Sequence, residues 1–318
     1  MFNTENYEVA PGINYEYVYI AGDDPLQPTL LFLHGFPSSY YCWRHQIKYF
    51  SGKGYSCLAP NLMGYGKTYS PSDKNEYRAK SMVQHLISLL DHLSIEQVIV
   101  IGHDWGVRPA SRFILHQPTR ALGLVLVSVG YMPPREFDFQ AALTRSKQAL
   151  GYENIGYWEF FTSDDAVNLI QQNIDSFIDI GYTDDPNLWK TDFAPLGKIR
   201  AWIAEGKTAK RASFITDEDV VVLKQLVSEA LEAKLNWYKS VISNIDWEDE
   251  KSLDPKIDCP VLFIGGQKDF ICIPQLYNEQ ANYIANLQTV NLETSHWIME
   301  QQPDTVNQTI ENWIDNMP

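Results

Sequence analysis

No apolar run in this chain reaches membrane-spanning length, and the first residues have neither the basic start nor the apolar stretch of a secretory leader. Cysteine is scarce. The four present, Cys42, Cys57, Cys259 and Cys272, show no metal-like pairing and suit a reducing compartment, so the cytoplasm is the expected location. Positive charge is short: 25 Lys and Arg face 40 Asp and Glu, a net charge of −15. That balance disfavours nucleic acid and anionic membranes as partners and argues weakly against a small anionic substrate. A phosphate loop is also missing, because Gly64-Tyr65-Gly66-Lys67 lacks the required G-x-x-x-x-G-K-[ST] spacing and reads as a turn. The lone sequon Asn307-Gln308-Thr309 is a triplet of the kind that arises by chance. Neither an internal repeat nor a low-complexity tract is evident.

What is there suits one large core with a subordinate lid: 318 residues, 45% of them hydrophobic. Apolar runs at 15–20, 30–34, 55–59, 98–101 and 122–127 read as strands, and 81–93 places Met82, Leu86, Leu89, Leu90 and Leu93 at helical spacing. This is α/β organisation with a mostly parallel central sheet. The Met132-Pro133-Pro134 break ends it. From there to 246 the chain is aromatic, charged and helix-like, the texture of an inserted helical cap. Strand texture returns at 259–265 and 289–292, and 298–314 reads as a closing helix. The expected division is a core made of 1–130 and 247–318 with a cap over 131–246.

The chemistry centres on Gly102-His103-Asp104-Trp105-Gly106. A strand precedes it and a helix over 105–116 follows, with Pro109 tolerable in its first turn. Strand, sharp turn and helix form the elbow that exposes a hydrolase nucleophile, here with a carboxylate in place of serine. Gly-x-Asp-x-Gly alone is weak, since glycines flank aspartates in many turns. Other runs strengthen it. Strand 30–33 ends in His34-Gly35-Phe36-Pro37, at the edge where a parallel sheet delivers Asp104, so the Phe36 and Trp105 amides can form an oxyanion hole. His34 reads as a structural turn residue and His103 as packing beside the elbow. Asp269 follows the strand at 261–265, and His296 follows the one at 289–292, giving the order nucleophile, acid, histidine. Of the seven histidines only His296 lies beyond that acid, so it is the preferred base.

These motifs, with Tyr41-Cys42-Trp43-Arg44-His45-Gln46 and His296-Trp297, give a chain that resembles the soluble epoxide hydrolases of the α/β-hydrolase superfamily over almost its whole length. The resemblance implies a nucleophilic Asp104, an acid Asp269, a base His296 and two ring-opening tyrosines from a cap. One such tyrosine stands four residues before a Phe, as Tyr157 stands before Phe161, although the Gln and Pro of that segment are missing here. The other belongs to a Trp-Tyr pair, matched by Trp237-Tyr238. Independently, Leu231, Leu235, Tyr238 and Ile242 share one helix face. The family often carries aspartate or arginine near Asn61-Leu62, a departure that bears on the local turn. Arg44 and His45 read as loop anchors.

The expected function is hydrolysis of neutral, apolar epoxides to vicinal diols through an aspartyl ester, with Trp158, Phe161 and Trp237 among the residues lining the pocket. The partners are the epoxide and water, the assembly a monomer or homodimer, and no metal or organic cofactor is required. Haloalkane dehalogenase is the alternative enzyme, since it shares the ester step and Trp105 occupies the place of its halide-binding indole; Phe36 and the tyrosine pair speak against it. A non-catalytic small-molecule binding protein on the same fold is a further reading.

Overall fold

Strands buried on both faces carry unbroken apolar runs, and the middle of the sheet is built from them. The computed structural model describes residues 2–317. Its strands are β1 (Glu5–Ala10), β2 (Ile13–Ile20), β3 (Thr29–Leu33), β4 (Cys57–Pro60), β5 (Val98–His103), β6 (Ala121–Val127), β7 (Val261–Gly266) and β8 (Leu287–Leu292). They form one eight-stranded sheet in the order β1-β2-β4-β3-β5-β6-β7-β8. β1 and β2 pair antiparallel, as do β2 and β4, and every pairing from β4 across to β8 is parallel. All four residues of β4 and all six of β5 and β7 are buried.

Alternation along the strands divides the core into two layers. Leu31, Leu33, Val98 and Val100 face helices Ala79–His92 and Val107–His116, which contribute Leu86, Leu89 and Phe113. Leu30, Phe32, Ile99 and Ile101 face helices Arg44–Ser51 and Pro303–Asp315, which contribute Ile47, Phe50, Ile310 and Trp313. Parallel neighbours require the chain to cross over the sheet between strands, and those crossovers bring β3, β5, β6, β7 and β8 to the same edge at their carboxyl ends.

The link from β6 to β7 is helical. It runs through Phe139–Leu150, Trp158–Phe161, Ala166–Gln172, Ile174–Gly181, a π-helical turn at Trp189–Phe193, Lys198–Ala204, Asp217–Ser228, Leu231–Ile242 and Trp247–Glu250. Buried ion pairs tie it to the core. Arg44 reaches both Glu300 at 2.5 Å and Asp219 at 3.1 Å, and Tyr41 donates to Asp219 at 2.8 Å. Asp219 also closes the capping box of helix Asp217–Ser228. At the other end Arg112 makes a two-pronged pair with Glu250 at 2.8 Å on each arm, and Arg108 pairs with Asp246.

Two expectations need correction. β1 was not foreseen, because it is an edge strand whose only buried residue is Val9, so it has no apolar run to read. The closing helix is two helices, Ile298–Gln301 and Pro303–Asp315. Pro303 has no N–H to continue the first helix but is well placed to open the second. The 64–67 segment is a turn, and Asn61, buried beside it, donates to Glu16 at 2.7 Å while accepting from the Tyr40 amide at 3.0 Å.

Candidate active site

β5 delivers Asp104 to the carboxyl edge with a positive φ of 50°, followed by a 3-10 turn over Asp104–Gly106 that runs into helix Val107–His116. For a non-glycine residue that backbone conformation costs roughly 1–2 kcal/mol, so surrounding contacts must hold it. Two glycines permit them. A Cβ at Gly106 would sit 2.2 Å from the Leu33 carbonyl oxygen, and one at Gly35 would sit 2.3 Å from Asp104 Oδ1. With that space kept open, the Phe36 N–H donates to Asp104 Oδ1 at 2.8 Å. Burial pushes the Asp104 carboxyl up, but the contact with and charge of His296 and the Phe36 amide hold it below the ordinary 3.8. It stands as a carboxylate.

The loops after β7 and β8 bring up the other two members. His296 Nδ1 lies 2.7 Å from Asp269 Oδ2, and His296 Nε2 lies 3.5 Å from Asp104 Oδ2. Asp269 is fixed from several sides: Oδ1 accepts from the Ile271 and Cys272 amides at 2.9 and 2.8 Å, and Oδ2 accepts from Ser128 Oγ at 2.8 Å. Burial raises the Asp269 carboxyl, yet the His296 charge and contact and the Cys272 and Ile271 amides hold it below 3.8. Burial alone would push the His296 imidazole down, but the Asp269 charge and the Asp104 contact keep it well above 6.5. One histidine is thus held between two carboxylates, its Nε2 turned toward Asp104.

Other histidines near this edge are neutral. His34 Nε2 accepts from the Leu62 amide at 2.9 Å while Nδ1 faces the Gly35 carbonyl at 3.0 Å, which fixes its tautomer and orders the turn. His103 Nε2 lies 3.0 Å from the His296 carbonyl oxygen. Burial, above other causes, brings His103 down to about 3, and His34 and His85 to about 4. An unfolded chain takes up these protons near 6.5 and the folded one does not, so stability falls as pH drops from 6.5 toward about 4. The melting temperature should decline through that window, more gently in a His85→Gln variant. A flat profile there would refute the assignment.

Above Asp104 and His296 lies a narrow cavity of about 30 Å³, lined by Phe36, Tyr157, Phe161, Trp189, Tyr238 and Trp297 among others. The Tyr157 and Tyr238 rings are 6.0 Å apart, and the Tyr238 ring stands edge-on to Phe36 at 5.4 Å and to Trp105 at 4.8 Å. Burial first, with the Asp104 charge among the lesser causes, holds both phenols well above 10, so both keep their protons. Phe161 lines this cavity, but Trp158 and Trp237 do not. Trp237 turns its indole N–H to the Met63 carbonyl at 2.9 Å and packs against Tyr77, away from the opening. Trp158 stacks on Phe139 and leans on Trp105, outside the cavity wall. Ser128 and Cys272 were not foreseen. Ser128 Oγ also lies 2.9 Å from His296 Nδ1, and its only trace in the sequence is a small polar residue closing the β6 run. Among the described residues no helix is long and apolar enough to cross a membrane.

Comparison with known proteins gives a consistent picture. The sequence pattern of the alpha/beta hydrolase fold family matches residues 28–303. Epoxide hydrolase 3 of Siraitia grosvenorii is 30% identical over 307 residues, covering 90% of this chain and 92% of its own length. Bifunctional epoxide hydrolase 2 of Rattus norvegicus is 26% identical over 309 residues, 96% of this chain; the chain spans about half, 54%, of that protein. Among solved structures, an epoxide hydrolase from an endophytic Streptomyces superposes with a TM-score of 0.83 at 26% identity, covering 98% of this chain and 95% of the other.

Proposed function

The chain belongs to the α/β-hydrolase fold family, on its epoxide hydrolase branch, and from that premise we propose that it converts neutral, apolar epoxides to vicinal diols through an ester on Asp104. The observation that carries this reading is the convergence on one cavity of a carboxylate, a carboxylate-backed histidine and two protonated tyrosines. The helical segment at 131–246 acts as the cap, supplying both tyrosines and most of the apolar wall.

An Asp104 oxygen attacks one epoxide carbon, and the carbon–oxygen bond breaks as the ring oxygen takes a proton from Tyr157 or Tyr238. The product of this step is a hydroxyalkyl ester and a tyrosinate. Esterification removes the negative charge of Asp104, which is one of the causes holding the His296 imidazole up. Its proton is then released to the tyrosinate side of the site, and the neutral Nε2 accepts a proton from water. That water attacks the ester carbonyl, whose oxyanion is met by the Phe36 and Trp105 amides; on collapse the departing diol oxygen takes the proton held on His296 Nε2, and the regenerated carboxyl returns its own proton to His296 as Asp104 becomes a carboxylate again. Phe36 already donates to the carboxylate, so this donor needs no rearrangement when the charge develops.

The direct test is a single turnover in heavy-oxygen water with enzyme in excess over a styrene-type epoxide. The first diol should carry its new oxygen from Asp104; solvent label in that diol would exclude the ester route. Halide release outpacing diol formation across matched panels of haloalkanes and epoxides would move the assignment to dehalogenation.

Removing ring-opening donors should be graded. Tyr238→Phe and Tyr157→Phe should each slow alkylation of Asp104 by about 10- to 100-fold, and the double variant by about 1000-fold, without affecting hydrolysis of the preformed ester. Rapid-quench measurement of the two half-reactions separates them. Equal slowing of both steps would mean that the tyrosines shape the pocket rather than donate to the ring.

A further inference from the structure

The relay has a neighbour that hydrolysis does not use. Cys272 is 6% exposed and sits on the same loop as Asp269, and ligand atoms from Asp269, Cys272 and His296 all lie within 4.8 Å of one another. Carboxylate oxygen, thiolate sulfur and imidazole nitrogen are the ligand types that zinc takes in tetrahedral sites. In the sequence the four cysteines have no metal-like spacing; the trio arises because the loops after β7 and β8 meet.

We infer that Asp269, Cys272 and His296 form an inhibitory site for a thiophilic divalent cation, Zn²⁺ foremost, whose capture stops the enzyme after Asp104 has been alkylated. The inference concerns regulation of the site described above and its consequence for turnover rests on the hydrolytic reading. Tetrahedral zinc with bonds of about 2.0–2.3 Å holds its ligand atoms roughly 3.3–3.8 Å apart. The 2.7 Å contact between Asp269 and His296 would therefore open slightly, and Cys272 would close in by up to about 1 Å, a side-chain adjustment on a loop already anchored by its own amides.

The proton balance explains the block. The metal takes the Nδ1 lone pair of His296 and the sulfur of Cys272, so the Nδ1 proton and the thiol proton both leave and the one proton kept by the now neutral imidazole resides on Nε2. That nitrogen is the one required to accept a proton from water. Attack by Asp104 on the epoxide needs neither nitrogen and proceeds, so the ester accumulates. Hard cations such as Mg²⁺ and Ca²⁺ prefer all-oxygen surroundings and are not retained.

The test uses the full chain stripped with a chelator. Titration with Cd²⁺ should produce a cadmium–thiolate charge-transfer absorption in wild type that Cys272→Ser and Cys272→Val lack, whatever the background from the other cysteines. Zn²⁺ should inhibit diol formation with build-up of an ester mass on the protein after mixing with epoxide, reversibly on adding EDTA. Loss of outer partners alone costs a metal site about 10- to 100-fold in affinity, so the Cys272 variants should need about 100-fold more Zn²⁺, each referred to its own metal-free rate. An unchanged Cd²⁺ band or an unchanged Zn²⁺ midpoint in those variants would overturn the site, as would equal inhibition by Mg²⁺. The Cd²⁺ band does not depend on turnover. Its presence without diol formation would keep the site and reject the hydrolase reading, and its absence beside normal diol formation would do the reverse.

Discussion

Epoxide turnover in an Asp104→Asn variant is expected to fall by about 10⁵-fold or more while the fold survives. An amide in this position cannot open the ring to give a stable ester, and the amides, tyrosines and His296 around it have no second nucleophile to serve. The substitution is gentle on the backbone, because Asn tolerates the positive φ of 50° better than most side chains and its oxygen can still accept from the Phe36 amide at the same place. Far-ultraviolet circular dichroism and the melting temperature should therefore change little. Retention of even one part in about a hundred of wild-type diol formation would require another nucleophile, since removing the attacking atom of a catalytic triad costs on the order of 10⁶ in kcat.

A His296→Gln variant should behave differently: it should be alkylated once and then stall. Gln removes the base and the charge beside Asp104 but leaves the carboxylate buried next to the cavity, so ring opening continues while ester hydrolysis slows by about 10⁴-fold. Intact-protein mass measurement after mixing with an epoxide should show the chain plus one substrate, and digestion should map the increment to the segment containing Asp104. If the variant stays unmodified under conditions in which wild type turns over, His296 is not the base of the second step. The variant should also lose a part of the pH dependence of stability. The raised imidazole contributes stability that is fully present below the unfolded value of 6.5 and is lost as pH rises through its folded value.

Much of this site was legible because its residues follow buried strands, and buried strands announce themselves as apolar runs. Asp104 after 98–101, Phe36 after 30–33 and Asp269 after 261–264 all sit where a run stops, and the parallel sheet brings such stops to one edge. The insertion was harder to read. Its helices carry aromatic residues on more than one face, so the sequence cannot distinguish Phe161, which meets the cavity, from Trp237, which is committed to the Met63 carbonyl and a buried contact with Tyr77. Helical periodicity did place Tyr238 correctly on an inward face. Ser128 and Cys272 were out of reach for a different reason: their proximity to Asp269 and His296 depends on where loops end, not on any local pattern. β1 shows the limit of the apolar-run signal, since an edge strand with a single buried side chain folds on hydrogen bonds that composition does not record.

The contacts that make up the reactive edge join residues far apart along the chain. Phe36 meets Asp104 across 68 positions, Ser128 meets His296 across 168, and His103 meets the His296 carbonyl across 193. Each such pairing carries the loop-closure entropy of everything between its partners before it returns any stabilisation. Local helices of the insertion can form early in a refolding chain, whereas Asp104 and His296 can meet only once β7 has paired with β6 and β8 with β7. On the proposed mechanism, catalytic competence therefore depends on the long-range pairings of the sheet rather than on helix content, and a refolding experiment should see helicity return before diol formation does.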